Sequence, residues 1–231
     1  MKKLYIIMAM AIAIVGVCSF AMTAKTSFPE PPVYRSLPNG EFPLKAGDAF
    51  PPDLANEQQA QWLKEAGFNT IARLLQAKYI PGMVELAEKN HLYITLRPWG
   101  VERTEVIIPW MQKYADNPYV LGYSLADEPS ASQFSMLSKV VDAVKKAEPR
   151  MMAGINIYPE MDEKTLGAPN YRAYVEEYVR EVNPPYISYD FYPIRVDKQG
   201  KVKVEDSFYR TVGIISDVAR ESVRPFWGYV L

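Results

Sequence analysis

The chain has 231 residues, a length that suits one α/β domain of the larger kind or two small ones, and its 48% hydrophobic residues are enough for a sizeable core. Lysine and arginine (26 residues) nearly balance aspartate and glutamate (27 residues), and no run of basic residues occurs. This pattern supports neither a nucleic-acid partner nor an anionic membrane as a partner. We therefore expect a neutral ligand.

The first residues have the layout of a secretory signal peptide. Two lysines precede an uncharged stretch over residues 4–17, and small residues follow, with 19–21 as the best cleavage site. We expect residues 1–24 to be removed and the mature protein to be secreted, periplasmic or at the cell surface. Cys18, the only cysteine, could instead carry a lipid anchor, and the uncharged run could remain as a short membrane anchor.

The next residues lead into the folded domain. Residues 25–41 are rich in proline and predict an extended lead-in, and the barrel domain is expected over 42–231. Its first predicted strand covers 42–46. A helix over 56–66 follows, with Trp62, Leu63 and Ala66 expected to face inward and Gly67 expected to end it.

From there strands and helices alternate along the chain. The predicted strands lie at 70–75, 92–96, 119–125, 152–157, 187–191 and 225–231. The predicted helices lie at 82–89, 106–114, 130–147, 171–182 and 208–219. Alternation with helices of this length indicates a parallel sheet, and we see no two-residue hairpin signal that argues otherwise.

The predicted fold class is α/β, a (β/α)₈ TIM barrel that is incomplete, with about seven strands and six helices. A doubly wound sheet could hold these elements, but the glycine-rich phosphate turn that usually follows its first strand is missing from the sequence. A barrel fits better because several strands end in polar or aromatic residues, and barrel strand ends converge on one face. The chain stops within the seventh predicted strand, so we expect a barrel that lacks its C-terminal units.

The fourth predicted strand runs directly into two carboxylates, Asp127 and Glu128. Pro129 ends the strand, and Ser130 with Gln133 three residues on predicts a capping box at the start of a helix. The acidic pair therefore lies on a strand-to-helix turn, which in parallel α/β proteins is at the edge where ligands bind. Favourable electrostatics at the helix N-terminus is the alternative interpretation of such a pair.

The inventory of reactive side chains favours carboxylate chemistry. The single histidine, His91, precedes a predicted strand and so lies at the opposite, stability face of a barrel. This placement argues against Ser-His-Asp and Cys-His catalysis and against histidine-rich zinc sites, and we expect no metal and no cofactor. Glu128 beside ionised Asp127 should have a raised pKa, as a general acid for sugar hydrolysis requires.

The strand ends also resemble a known family. The sequences at 119–129, at 156–159 and at 188–193 look like the clan A (β/α)₈ glycoside hydrolases, and are closest to the β-galactosidase-like barrels secreted by gut Bacteroidetes. The resemblance implies hydrolysis of O-glycosidic bonds in an oligosaccharide or polysaccharide, with Glu128 as the acid/base. Asp127 stands where that clan has an asparagine, and an aspartate cannot donate the hydrogen bond that the asparagine makes.

The second catalytic carboxylate is harder to assign. The clan's nucleophile is a glutamate at the end of the seventh strand, and this chain offers none there. Asp190, on the sixth strand, is the nearest substitute, although it could equally be a buried residue that ties strand ends together. Further substrate-binding candidates are residues with flat apolar rings or hydroxyl-binding polar groups near strand ends. They are Arg97, Trp99, Asn156, Tyr158, Tyr192 and Trp227.

Two other classes of protein remain as alternatives. A non-catalytic glycan-binding barrel, or a degenerate barrel fragment, would keep the aromatic cleft without a complete carboxylate pair. A barrel aldolase would need a lysine at a strand end, and the strand ends at 97–99, 127–128, 156–158 and 190–192 contain none. The sequence does not predict the oligomeric state.

Overall fold

The structure is a computed structural model that describes residues 27–47, 55–100 and 102–229. The predicted signal peptide with Cys18 and the last two residues of the seventh predicted strand lie outside these residues.

Seven parallel strands form the main sheet, in which each strand pairs with the one that precedes it in the following order. Their bounds are β1 Lys45–Gly47, β2 Thr70–Leu75, β3 Tyr93–Pro98, β4 Val120–Asp127, β5 Met152–Ile157, β6 Ile187–Asp190 and β9 Phe226–Tyr229. An ideal Cβ placed on Gly47 would lie 2.9 Å from the Tyr229 ring, so the first and last strands of the sheet approach each other. The sheet is therefore a nearly closed barrel of the TIM type.

The α-helices connect these strands and pack on the outside of the sheet. Their bounds are α1 Glu57–Glu65, α2 Ile80–Lys89, α3 Thr104–Tyr114, α4 Phe134–Ala147, α5 Glu163–Leu166, α6 Tyr171–Val182 and α7 Asp206–Glu221. Strands β2 and β5 and helix α6 have the predicted bounds, and most other predicted elements differ only at their ends. The first strand begins three residues later than predicted, beyond Pro43, whose missing N–H makes it a poor strand residue. None of the described helices is long and apolar enough to span a membrane.

One pair of strands was not predicted. A two-stranded antiparallel hairpin, β7 Ile194–Val196 and β8 Val202–Val204, lies between β6 and α7. Its connection spans 197–201 and is longer than the two-residue turns that give a clear sequence signal. The prediction that all strands pair in parallel was wrong for this segment.

The outer face of the sheet is covered by apolar helix faces. Helix α4 follows the predicted capping box, in which Ser130 and Gln133 bond reciprocally at a short 3₁₀ turn. Its buried residues repeat at helical spacing, as predicted: Phe134, Leu137, Val140, Val141 and Val144. The prediction for α1 was wrong in part, since Trp62 and Ala66 are exposed, while Gly67 ends the helix region with a φ of +88°.

Inside the barrel, at the end opposite to Asp127, a second apolar cluster forms. We call it the floor cluster, and its buried members are Leu37, Leu121, Met152 and Tyr186. The Trp227 ring stacks on Tyr186 with ring centroids 4.0 Å apart, and the Lys45 ammonium lies 4.5 Å from the Trp227 ring centroid. The lead-in of the chain thus supplies Leu37 to fill the amino end of the barrel.

Candidate active site at the carboxyl ends of the strands

Four neighbouring strands place a polar side chain at or near their carboxyl ends. These are Arg97 on β3, Asp127 on β4, Asn156 on β5 and Asp190 on β6. The register pairs Asp127 with Asn156 and pairs Asn156 with Ser188, two residues before Asp190. Parallel pairing therefore brings residues that are about 30 positions apart in the sequence to one edge of the sheet.

Asn156 links the two aspartates. Its amide nitrogen donates to Asp127 Oδ1 at 3.1 Å and to Asp190 Oδ1 at 3.0 Å. Its amide oxygen accepts a hydrogen bond from the Ser188 hydroxyl at 2.9 Å. Since the serine hydroxyl occupies the oxygen side of the amide, the nitrogen side is left facing both carboxylates. Arg97 Nη1 completes the network through an ion pair of 3.1 Å with Asp127 Oδ2.

Glu128 occupies an unusual backbone position beside this network. Its φ is +47°, in the left-handed region that non-glycine residues seldom adopt. The Glu128 N–H donates to the carbonyl of Asn156 at 2.8 Å, and the next carbonyl, of Pro129, accepts from the Tyr174 hydroxyl at 2.6 Å. These bonds hold the strained turn in place. Such strain is common at functional sites, where the surrounding structure maintains a costly conformation.

Burial and like charge disfavour ionisation of Glu128. Its pKa is raised first by burial and then by the negative charges of Asp190 and Asp127. The pKa of Asp190 is also raised by burial, although the Asn156 amide and the Tyr192 hydroxyl oppose the shift by bonding to the carboxylate. The two groups therefore differ, because Asp190 has donors that stabilise its ionised form, whereas the shift of Glu128 has no opposing contribution.

This arrangement can supply both forms of a carboxyl group at one place. Glu128 is poised to hold and release a proton, and Asp190 and Asp127 are held as hydrogen-bond acceptors. Arg97 is the one cation that forms an ion pair with these three carboxyl groups in the described part of the chain. Within the described residues, no group of three or more His, Cys, Asp or Glu side chains is arranged to hold a metal ion.

The predicted aromatic residues are distributed unevenly. Tyr192 is exposed and bonds to Asp190, and the pKa of its hydroxyl is raised by burial and by the nearby carboxylates. Trp99 is 60% exposed and lines a groove of about 600 Å³ together with Arg97 and Asp127. Tyr158 is partly buried against the core, and its carbonyl accepts from the Tyr171 hydroxyl at 3.0 Å.

Trp227 is not part of this constellation. The structure places its ring in contact with the floor cluster, stacked on Tyr186. The register pairs Trp227 with Ser188 and pairs Tyr229 with Asp190, so Trp227 lies nearer the amino end of β9 than the sequence analysis predicted.

Two residues near the barrel interior were missed by the sequence analysis. Ser188 orients Asn156, and its position two residues before Asp190 on the same strand was a usable signal, because such residues share a face. Lys45 was missed because the strand ends considered for a lysine belonged to later strands, whereas Lys45 lies in the first strand, at the start of β1. Burial lowers its pKa to about 8.

The fold and the strand-end cluster define a TIM-barrel-like α/β protein with carboxyl groups at the carboxyl edge of its sheet. Among solved structures, the chain is similar to an endo-1,4-β-mannanase from Eisenia fetida, with 10% identity, a TM-score of 0.51 and coverage of 88% of this chain and 90% of that one. It is also similar to a putative α-L-fucosidase from Bacteroides thetaiotaomicron, with 10% identity, a TM-score of 0.55 and coverage of 87% and 76%.

These similarities are to glycoside hydrolases, and at such low identity they show the fold alone. No protein-family model matches the chain, and no curated protein matches it in sequence. The functional conclusion therefore depends on the geometry of the strand-end residues.

Proposed function

We propose that this protein is a glycoside hydrolase that cleaves O-glycosidic bonds in glycans, with Glu128 as the general acid/base. The observation that carries this proposal is the convergence of three carboxyl groups at the carboxyl edge of a barrel, of which Glu128 and Asp190 have a raised pKa and Glu128 alone has no group opposing the shift. Sugar hydrolysis needs a protonated carboxyl group beside an ionised one, across the bond that is cleaved. The glycoside hydrolases of similar fold support the proposal through their architecture.

The roles of the other residues follow from their contacts. Asp190 is the proposed second carboxylate, because the Asn156 amide and the Tyr192 hydroxyl oppose the rise in pKa that burial causes, whereas no group opposes the rise at Glu128. Asp127 is the proposed acceptor for a sugar hydroxyl, held by Arg97 and Asn156. Trp99, Tyr158 and Tyr192 would offer ring faces to the apolar faces of sugar rings. The separation of the Glu128 and Asp190 carboxyl groups with substrate bound would decide the stereochemistry, about 5 to 5.5 Å for retention and about 6.5 to 9.5 Å for inversion.

A second candidate function is glycan binding without cleavage. The specific observation in its favour is that Asp190 is tied to Asn156 at 3.0 Å, so the contact could serve to hold two strand ends together. A binding protein would use the same Arg97, Asp127 and aromatic side chains, but would not need the raised pKa of Glu128.

The substitution Glu128→Gln tests the catalytic role. With glycosides that have poor leaving groups, we expect turnover to fall about 10²- to 10⁴-fold, the usual contribution of a general acid. With a dinitrophenyl glycoside the bond-breaking step should lose much less, because that leaving group departs without a proton. The sugar is chosen beforehand by screening glycosides with the parent protein. Glu163→Gln, at an exposed glutamate on α5, is the matched control and should retain full activity.

Three outcomes would contradict the proposal. An equal loss on both kinds of glycoside would show that Glu128 does not deliver the proton, and an active protein unaffected by the substitution would remove its role altogether. A parent protein that binds glycans in calorimetry but cleaves none would favour the binding function instead.

A further inference from the structure

The hairpin β7–β8 carries an apolar face that projects from the barrel. In an antiparallel ribbon, directly paired residues lie on the same face, and so do residues two apart on one strand. The register pairs Ile194 with Val204 and Val196 with Val202, so these four branched side chains share one face. Their exposed fractions are 51%, 39%, 64% and 61% in that order.

The described part of the chain does not cover this face. None of the four side chains belongs to either apolar cluster or packs against one. A two-stranded hairpin is marginally stable by itself and usually needs a third strand or a packed face. Contiguous apolar surface with polar residues around it is typical of an interaction site. The hairpin is thus built to contact something outside the barrel.

The hairpin is also strongly basic in comparison with the rest of the chain. Residues 194–204 contain Arg195, Lys198, Lys201 and Lys203 against a single acid, Asp197, while the whole chain has a net charge of −1. Arg195 pairs with Glu205 at 2.7 Å. Among the described residues the three lysines form no ion pair, and the Asp197 carboxylate accepts from the backbone N–H groups of residues 199 and 201.

The combination of aliphatic side chains and unpaired lysines selects one kind of partner. A soluble polyanion would match the lysines but leave the aliphatic face in water. A second copy of this hairpin would cover the aliphatic face but bring two sets of lysines together. An anionic lipid surface satisfies both, because the aliphatic side chains enter the boundary of the acyl region while Lys198 and Lys201 in the turn approach the headgroups. Lys203 pairs with Arg195 on the opposite face of the hairpin.

We propose that the β7–β8 hairpin is a docking surface for an anionic lipid bilayer. This proposal is independent of the proposed glycosidase activity. It reverses the expectation from the sequence that an anionic membrane is not a partner, which was based on the charge of the whole chain. The balanced total conceals a local excess of positive charge within eleven residues, 194–204.

Co-sedimentation with lipid vesicles tests the proposal. The unsubstituted protein should bind vesicles of phosphatidylcholine mixed with phosphatidylglycerol, should bind pure phosphatidylcholine vesicles much more weakly, and should be released by salt. Replacing Lys198, Lys201 and Lys203 together by glutamine should lower the partition coefficient about 25-fold, at about fivefold for each of the two turn lysines, and Lys203 on the opposite face should add little. Replacing Val196 and Val202 together by serine should lower it about tenfold.

Matched controls separate the hairpin from general surface effects. Replacing the exposed helix lysines Lys139, Lys146 and Lys164 by glutamine changes the net charge equally and should leave binding near the parent value. Val33→Ser removes an exposed valine elsewhere and should also have no effect. All variants change exposed residues, and unchanged thermal unfolding would show that they fold.

Other results would overturn the proposal. Equal binding to both kinds of vesicle, or loss of binding in the control variants as large as in the hairpin variants, would exclude a specific role for the hairpin. Binding to heparin without binding to vesicles would indicate a polyanion as partner. A dimer in size-exclusion chromatography that becomes a monomer with the Val196 and Val202 substitutions would indicate a second copy.

Discussion

The two ends of the barrel interior are built in opposite ways. At the carboxyl end, Asp127, Glu128 and Asp190 lie close enough to raise the pKa of Glu128, and Glu128 has a strained backbone. At the amino end, the floor cluster packs aromatic and aliphatic side chains closely, with the Tyr186 and Trp227 rings stacked at 4.0 Å. Both ends belong to the same sheet and differ in which side chains the strands project.

The amino end of the barrel therefore contributes mainly to stability, and the carboxyl end holds the reactive groups. Close packing at the floor contributes to folding free energy, whereas like charge and backbone strain at the carboxyl end oppose it. A feature that opposes folding persists where function requires it, and the carboxyl end is where barrel enzymes hold their catalytic groups. Substitutions at the two ends should therefore change stability in opposite directions.

The largest expected effect is at the floor. Tyr186→Ala removes a buried ring from between Trp227 and β5, and should reduce the free energy of unfolding by about 3 to 5 kcal/mol, as for other buried aromatic residues. Tyr186→Phe keeps the ring and should lose no more than about 1 kcal/mol. Urea unfolding of the three proteins measures both values. A loss for alanine no larger than for phenylalanine would show that the floor is loosely packed.

Lys45 is the exception at the floor, because it places a charge among aromatic rings. Burial lowers its pKa to about 8, so its ammonium destabilises the fold below that pH, and the penalty declines as the pH rises toward the value of an unfolded lysine, about 10.4. Attraction between the ammonium and the Trp227 ring offsets part of this penalty. We expect Lys45→Met to raise stability at pH 7 by about 1 kcal/mol and to lose this advantage near pH 10.

Thermal unfolding of the parent and Lys45→Met at both pH values checks this prediction. Lys45→Arg, which stays charged throughout, is the control and should show no gain on approaching pH 10. A decrease in stability for Lys45→Met at pH 7 would mean that attraction to the rings outweighs burial.

The fold was largely predictable because its elements have strong local signals. The capping box at Ser130 and the helical repeat from Phe134 to Val144 fix α4, and alternation of strands with helices implies a parallel sheet. The hairpin β7–β8 lacked such a signal, since each strand has three residues and the turn needs five. Branched and basic residues alternate over 194–196 and 202–204, but three residues are too few for this alternation to predict a strand.

The residues of the site could be predicted only where they lie at the carboxyl ends of predicted strands. Asp127, Glu128, Asn156 and Asp190 follow from the rule that parallel strands end at one edge, and the structure brings them together. The spacing of Ser188 and Asp190 indicates that they share a face, but the bond from Ser188 to Asn156 depends on the register between β5 and β6, which no local pattern specifies. The packing of Trp227 against Tyr186 likewise depends on the register between β6 and β9, which pairs Trp227 with Ser188.

The smallest expected effect is at the carboxyl end and has the opposite sign to that of Tyr186→Ala. Because the pKa of Glu128 is raised, the folded protein binds more protons than the unfolded chain between the two pKa values. The carboxyl group therefore costs no stability below its unfolded pKa, about 4.3, and becomes destabilising as the pH rises through its folded pKa. Glutamine resembles the protonated form at every pH.

Glu128→Gln should accordingly stabilise the protein at neutral pH, by less than about 1 kcal/mol because the site is partly solvated, and should match the parent in mildly acidic solution. Urea unfolding at pH 7 and near pH 4 measures the difference, with Glu163→Gln as the control that should show none. A substitution that lowers turnover while raising stability at neutral pH would locate the conflict between folding and chemistry at this single carboxyl group. If Glu128→Gln instead lowers stability at pH 7, the ionised carboxylate makes favourable contacts, and the general-acid role loses its physical basis.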